Sequence, residues 1–234
     1  MIISQKLLAA KIASHLLDKD AKSNVERAKK TELEGPRFYP SSANKCSRYI
    51  VYDMLGYPKP PKEPKLIRIM ENGNSMHERY QTWFEEMGIL VANEFPIKVP
   101  ELRISGRLDS IITTKDIIPG VDDVAIVELK SANDKKFAQM VKSNEPNPDY
   151  YAQIQLYMEL LKIPYGLIFI ENKNNQEILE FLVDYDPEFG KRLLEKVVMV
   201  NDCVTKKELP RREYIKSSYE CKWCDYHDTC WSAS

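Results

Sequence analysis

Apolar and polar positions change period twice along the chain, dividing it into helical and extended stretches. Residues 1–17 carry apolar positions that fit a short amphipathic helix, interrupted by Lys6 and Lys11. Residues 18–34 are almost wholly polar and read either as a solvated helix or as a linker. Pro40 with Ser41 as N-cap opens a predicted helix through Leu55, which Gly56 stops. Four prolines between Pro58 and Pro64 impose a rigid, extended connection. A longer helical pattern then runs from Lys65 to Met87 and ends at Gly88.

Beyond Gly88 the period shortens to that of strands. Ile89–Val99, Leu102–Thr113 and Val121–Ser131 read as three strands separated by turn signals. Helical spacing returns at Asp134–Lys142 and Asp149–Lys162. Tyr165–Glu171 is a compact apolar strand, which Glu177–Val183 can pair with through the Asn172–Asn175 turn. Pro187 begins a last long helix towards Val204, and the tail from Lys206 has little regular patterning. This order predicts a mixed α/β core, one sheet covered by helices. Residues 1–36 are expected to form a helix and polar linker ahead of a domain over 37–234, whose last segment is 206–234.

Composition narrows the class. With 43% hydrophobic and 29% charged residues, 234 residues supply an ordinary globular core without disulfides. A net charge of −1 means that any nucleic-acid surface must be a local patch. No apolar run approaches the ~20 residues that span a bilayer, and no convincing cleavage site follows the N-terminal stretch. A cytoplasmic, non-membrane protein is expected, so its five cysteines need a role other than structural disulfides.

The most informative stretch is Val124-Ala-Ile-Val-Glu-Leu-Lys-Ser131. Strand alternation puts Glu128 and Lys130 on one face and Leu129 on the other. A carboxylate and an ammonium at the end of a buried run are costly unless paired or used. Asp109, in the preceding strand between Leu108 and Ile111-Ile112, is placed to approach Glu128 by antiparallel pairing. Hard oxygen ligands with open positions suit Mg²⁺ or Mn²⁺ and metal-assisted phosphodiester hydrolysis, with Lys130 beside the attacking water. An exposed salt bridge between Glu128 and Lys130 is the plainer alternative. His77 lies on the long helix before the sheet, and Gln153 and Tyr157, four apart, share a face of the helix after it.

These motifs, G-x-x-x-H at Gly73–His77, G-x-x-D at Gly106–Asp109, E-x-K at Glu128–Lys130 and Q-x-x-x-Y at Gln153–Tyr157, resemble in kind and order those of RecB-type PD-(D/E)XK nucleases. The resemblance spans roughly residues 40 to 230 and implies a restriction-endonuclease-like fold and a metal-dependent deoxyribonuclease. It implies His77, Asp109, Glu128 and the Leu129 carbonyl as ligands of Mg²⁺ or Mn²⁺, and a catalytic Lys130. Gln153 and Tyr157 would support the site and the substrate strand. Leu108 stands where the proline of the family's name would be.

Cys221, Cys224 and Cys230 form a C-x₂-C-x₅-C cluster that reads as a metal site. A fourth ligand is needed, and Cys46, Cys203 and His227 are the candidates; spacing alone does not separate zinc from iron–sulfur. The tail resembles that of the iron–sulfur nucleases of CRISPR adaptation and of AddB-type helicase–nucleases, with Cys46 in Cys46-Ser-Arg48 standing for their upstream cysteine. That resemblance implies a 4Fe–4S cluster on Cys46, Cys221, Cys224 and Cys230, tying the tail to the first helix of the core.

Lys135, Lys136 and Lys142 follow the acidic strand, while Lys206-Lys207, Arg211-Arg212 and Lys216 precede the cysteines among Tyr214, Tyr219, Trp223, Tyr226 and Trp231. Basic residues with interleaved aromatics suit single-stranded nucleic acid. The expected activity is an exonuclease on DNA that is single-stranded or has free ends. The alternative is a non-catalytic adaptor, bound to DNA or to an integrase or recombination partner.

Overall fold

The computed structural model describes residues 7–232; residues 1–6 of the expected N-terminal helix and 233–234 of the cysteine segment lie outside it. The amphipathic and polar N-terminal stretches join in one helix, α1 (Leu7–Glu34). Its polar half is anchored rather than loose. Asp20 accepts hydrogen bonds from the backbone amide and ammonium of Lys62 at 3.1 and 2.7 Å, and Arg27 pairs with Asp53.

The helix expected from Ser41 begins later. A 3₁₀ turn at Pro40–Ser42 is followed by α2 (Ser47–Met54), with Cys46 at its N-cap. Tertiary bonds cause the shift: Asn44 and Lys45 are drawn to Asp149 at 2.8 and 2.7 Å. The Ser47 amide is satisfied by Glu213 of the tail at 3.0 Å, a cap that no local residue signals. The proline-rich connection then leads into α3 (Pro64–Glu86).

Five strands follow in sequential spatial order: β1 (Leu90–Val99), β2 (Ile104–Thr113), β3 (Val124–Ala132), β4 (Tyr165–Asn172) and β5 (Ile178–Asp184). Neighbours are antiparallel except β3 and β4. That parallel pair needs a crossover, which α4 (Asp134–Ser143) and α5 (Pro148–Leu161) supply. Two strands start later than the apolar pattern suggests. Leu102 belongs to a 3₁₀ turn that ends in left-handed Arg103, φ +52°, before β2. Residues 121–123 are held in a loop by the Thr114 hydroxyl, which donates to Val121 and accepts from Asp123.

β3 is buried on both faces, which is why its sequence is a nearly continuous apolar run. Ile126 and Ala132 face the larger core, with Ile50 and Val51 of α2, Ile154 of α5 and Val197 of α6 (Pro187–Lys206). Ala125, Val127 and Leu129 face the smaller core under Met76, Tyr80 and Phe84 of α3. Pro96 is tolerated because β1 is an edge strand. Two short helices, α7 (Tyr219–Lys222) and α8 (His227–Ser232), carry the last cysteines. The result is an α/β fold with a five-stranded mixed sheet flanked by helices. Among the described residues no helix is long and apolar enough to cross a membrane.

Candidate active site

The ladder between β2 and β3 has its last regular pair at Ser110 and Val127. One residue further on, Asp109 uses its side chain instead: Oδ2 accepts from the Leu129 amide at 2.8 Å. Asp109 and Glu128 are thereby held side by side where the β2–β3 ladder ends. Lys130 Nζ bonds Glu128 Oε1 on one face of β3, while the Leu129 side chain is buried in the smaller core on the other. The pair is not an exposed salt bridge, because Glu128 is 0% exposed. Its Oε2 is buried and has no hydrogen-bond partner.

The electrostatics follow from this burial. Loss of water pushes the Glu128 carboxyl above the usual carboxylate range; Asp109 adds to the rise, and Lys130 counters only part of it. Burial alone would discharge Lys130, but Glu128 and Asp109 outweigh it and hold the ammonium charged. The Tyr150 ring covers the ammonium, with its centroid 5.6 Å away. His77 projects from α3 to place Nδ1 3.3 Å from Asp109 Oδ1. Burial disfavours the imidazolium, yet the hydrogen bond and charge of Asp109 leave its pKa raised.

Gln153 and Tyr157 reach the site from α5. Both are buried, and the Tyr157 hydroxyl donates to the Arg107 carbonyl at 3.1 Å. The same hydroxyl explains Gly106: a Cβ there would lie 3.0 Å from it and 2.9 Å from Pro40 Cδ. Gly106→Ala is therefore expected to destabilise the chain by about 1–3 kcal/mol through overpacking, read as a lower denaturant midpoint. Gly73, by contrast, meets nothing closer than Ser131 Oγ at 4.0 Å, so close packing does not require it.

One acidic residue escaped the sequence reading. Glu94 on β1 lies between the pairs Asn93–Ser110 and Phe95–Leu108, opposite Asp109. It has a left-handed backbone, φ +47°, uncommon for a non-glycine residue within a strand. His77, Glu94 and Asp109 present ligand atoms that all lie within 4.8 Å of one another. Gln81 ties the group together, donating to Glu94 Oε1 at 3.2 Å and to the Asp109 carbonyl at 2.9 Å. Glu94 also pairs with Arg107. The donor set and the orphaned Glu128 oxygen fit a hard divalent cation.

The other expected site residues lie apart from this cluster. Lys135, Lys136 and Lys142 are exposed on α4, and Arg211 is exposed in the tail. Arg212 serves the tail itself, donating to the Cys230 carbonyl at 2.8 Å and stacking on Trp231. Cys46, Cys221, Cys224 and Cys230 line one small cavity of about 30 Å³, which His227 also borders. The Arg48 guanidinium donates to Cys230 Sγ at 3.4 Å and to the Pro210 carbonyl at 2.7 Å. His227 Nδ1 is engaged by the Cys221 carbonyl at 2.8 Å, and Cys203 lies elsewhere on α6, beside Met199. Tyr226 is buried and donates to Asp53 at 2.9 Å, whereas Tyr219 and Trp223 are exposed.

Solved structures resemble this fold at low identity. SSO0001 aligns over 92% of this chain and 97% of its own, with a TM-score of 0.53 and 15% identity. An alkaline exonuclease from Laribacter hongkongensis aligns over 73% of this chain and 89% of its own, with a TM-score of 0.53 and 13% identity; a structure of it in complex with dAMP scores 0.55. A phage-related exonuclease from Haemophilus somnus 129PT covers 73% of this chain and 94% of its own, with a TM-score of 0.51 and 14% identity. No curated protein matches the chain in sequence. The family model described as the PD-(D/E)XK nuclease superfamily matches residues 19–231. With nearly its whole length matched, the chain belongs to the PD-(D/E)XK nuclease superfamily.

Proposed function

We propose that this protein is a Mg²⁺- or Mn²⁺-dependent deoxyribonuclease, acting as an exonuclease on DNA that is single-stranded or has free ends. The observation that carries this reading is the meeting of Asp109, Glu128 and Lys130 where the β2–β3 ladder ends, with a buried Glu128 oxygen lacking a partner. His77, Asp109 and Glu128, with the Leu129 carbonyl, would hold the cation, which polarises the scissile phosphate and lowers the pKa of water. Asp109 is oriented for that task by the Leu129 amide and by His77. Lys130, charged and pinned by Glu128, offers its remaining N–H groups to the attacking water and to the charge that builds on the phosphate. Tyr157 would hold β2 in place through the Arg107 carbonyl, with Gln153 buried one turn before it on α5. The exonuclease character rests on analogy with the two exonucleases of similar fold.

The same reading gives the tail a 4Fe–4S cluster on Cys46, Cys221, Cys224 and Cys230. All four thiols line one cavity, and Arg48 directs an N–H at one of them. Four thiolates are the donor set that such a cluster takes. Its role here is a staple between the tail and α2.

The test uses anaerobically purified chain with end-labelled linear and circular DNA, each single- and double-stranded, in Mn²⁺, Mg²⁺ or EDTA. Loss of linear substrate only, with metal and not with EDTA, is the expected result. No cleavage by folded, cluster-loaded protein would overturn the nuclease assignment. Iron and acid-labile sulfide near four each per chain are expected in the same preparation; zinc in their place would reject the cluster.

A further inference from the structure

The fold sorts the five aromatic residues of the cysteine tail. Tyr226 is buried, Tyr214 is half-buried, and Trp231 stacks on Arg212. Tyr219 and Trp223 instead stay 74% and 77% exposed. They stand four apart, at the start of α7 and at its C-cap, so they share one face. Two large rings left in water on one face mark a binding surface rather than core. The turn that carries them is fixed: the Ser218 hydroxyl accepts from the Cys221 amide at 3.3 Å, and the Cys224 amide donates to the Cys221 carbonyl at 3.2 Å.

Both rings border an open groove of about 470 Å³, whose lining also includes Lys45 and the start of α5, Asn147 to Asp149. Burial pushes the Asp149 carboxyl up, but hydrogen bonds from Lys45 and Asn44 and the charges of Lys45 and Lys136 outweigh it. That part of the groove is therefore served by two lysines. The next residue, Tyr150, covers the Lys130 ammonium, so the groove adjoins the active site. Glu220 and Asp225 lie among the aromatic lining and repel phosphate there. A single strand of DNA has the matching two-sided chemistry, phosphates along one edge and open base faces along the other, whereas a duplex hides its base faces. We propose that this groove holds single-stranded DNA beside the active site, with bases stacked on Tyr219 and Trp223 and phosphates towards Lys45 and Lys136. This rests on the nuclease reading and gives that site a substrate contact outside the motifs.

The test is binding of a labelled oligothymidylate to the full chain, purified anaerobically and read by fluorescence anisotropy in EDTA, where nothing is cut. Tyr219→Ala and Trp223→Ala are each expected to weaken binding about 5–150-fold, the loss of one stacked base. Trp223→Phe keeps a stacking face and is expected to stay within a few-fold of the wild type. An abasic strand of the same length offers phosphates without bases, so all four proteins should bind it alike. Equal affinity of the wild type and both alanine variants for oligothymidylate would overturn the proposal and leave the two rings to a protein partner. An equal loss on the abasic strand would also overturn it, since that reports a displaced tail rather than lost stacking. Cleavage in Mn²⁺ by the same samples keeps the two readings apart. Stacking lost in the variants, with no cleavage by the wild type, would reject the nuclease and retain the groove. Cleavage with unchanged binding in the variants would reject the groove alone.

Discussion

Lys130→Ala is expected to lower DNA cleavage by about 10²–10⁴-fold, the loss typical when one preorganised charge facing a transition state is removed. Lys130 is the charged donor on Glu128's face of β3, and the carboxylates around it keep it protonated. Truncation leaves Glu128 buried without its counter-charge, an arrangement that costs about 3–5 kcal/mol if nothing replaces the partner. Saturating Mn²⁺ offsets that cost, so the variant's melting temperature is expected to rise more steeply with Mn²⁺ than the wild type's. Binding of Mn²⁺ should survive while kcat collapses, since no cation ligand has been removed. Cleavage within tenfold of wild type, by protein with an unchanged far-ultraviolet spectrum, would remove Lys130 from the mechanism. Measured beside Glu128→Gln, the same assay separates loss of the ion from loss of the donor.

The pairing of Glu128 with Lys130 was legible in the sequence because it is local. Residues two apart on one strand share a face by the geometry of the strand alone, so E-x-K at 128–130 could be read without a fold. Asp109 required one more step, the pairing of consecutive antiparallel strands. The β2–β3 register bears this out, although Asp109 reaches the third strand through its side chain rather than the ladder. Glu94 was out of reach. Its part depends on a left-handed backbone in the middle of a strand, and neither the apolar pattern nor any turn residue announces it. The start of α2 failed for a related reason. Pro40-Ser41-Ser42 satisfies every local rule for a helix opening, yet the amide of Ser47 finds its acceptor at Glu213. For residues 18–34 the polar composition left helix and linker equally open. Long-range pairs to Lys62 and Asp53 resolve it, and a single-sequence pattern does not contain them.

Cys224→Ser is expected to release the tail and lower the melting temperature more than any other single change at this end of the molecule. Thiolate sites in small domains contribute on the order of 10 kcal/mol of apparent binding energy. Even a third of that, at about 2–4 °C per kcal/mol for a chain of this length, corresponds to a fall of about 7–13 °C. The contacts left to hold the tail on α2 include hydrogen bonds of Arg48 to Pro210, Ser47 to Glu213, Tyr49 to Asp225 and Tyr226 to Asp53, with the Tyr226 ring against Tyr49 and Tyr52. Burial pushes the Asp53 carboxyl up, but Lys59 and Arg27 outweigh it and hold it below the usual range. Stability from a lowered carboxyl is present above its unfolded pKa of about 3.9 and is lost as pH falls through the folded value. Between pH 5 and 8 the Asp53 anchor is therefore constant, and opening of the tail reports the cysteines. Trypsin has sites at Lys206-Lys207 and Arg211-Arg212, so the variant should be cut there many times faster than the wild type across that range. Equal cutting rates, with melting temperatures within about 2 °C, would mean that the cysteines do not staple the tail. The hydrogen bonds and ring contacts to α2 would then be what fastens it.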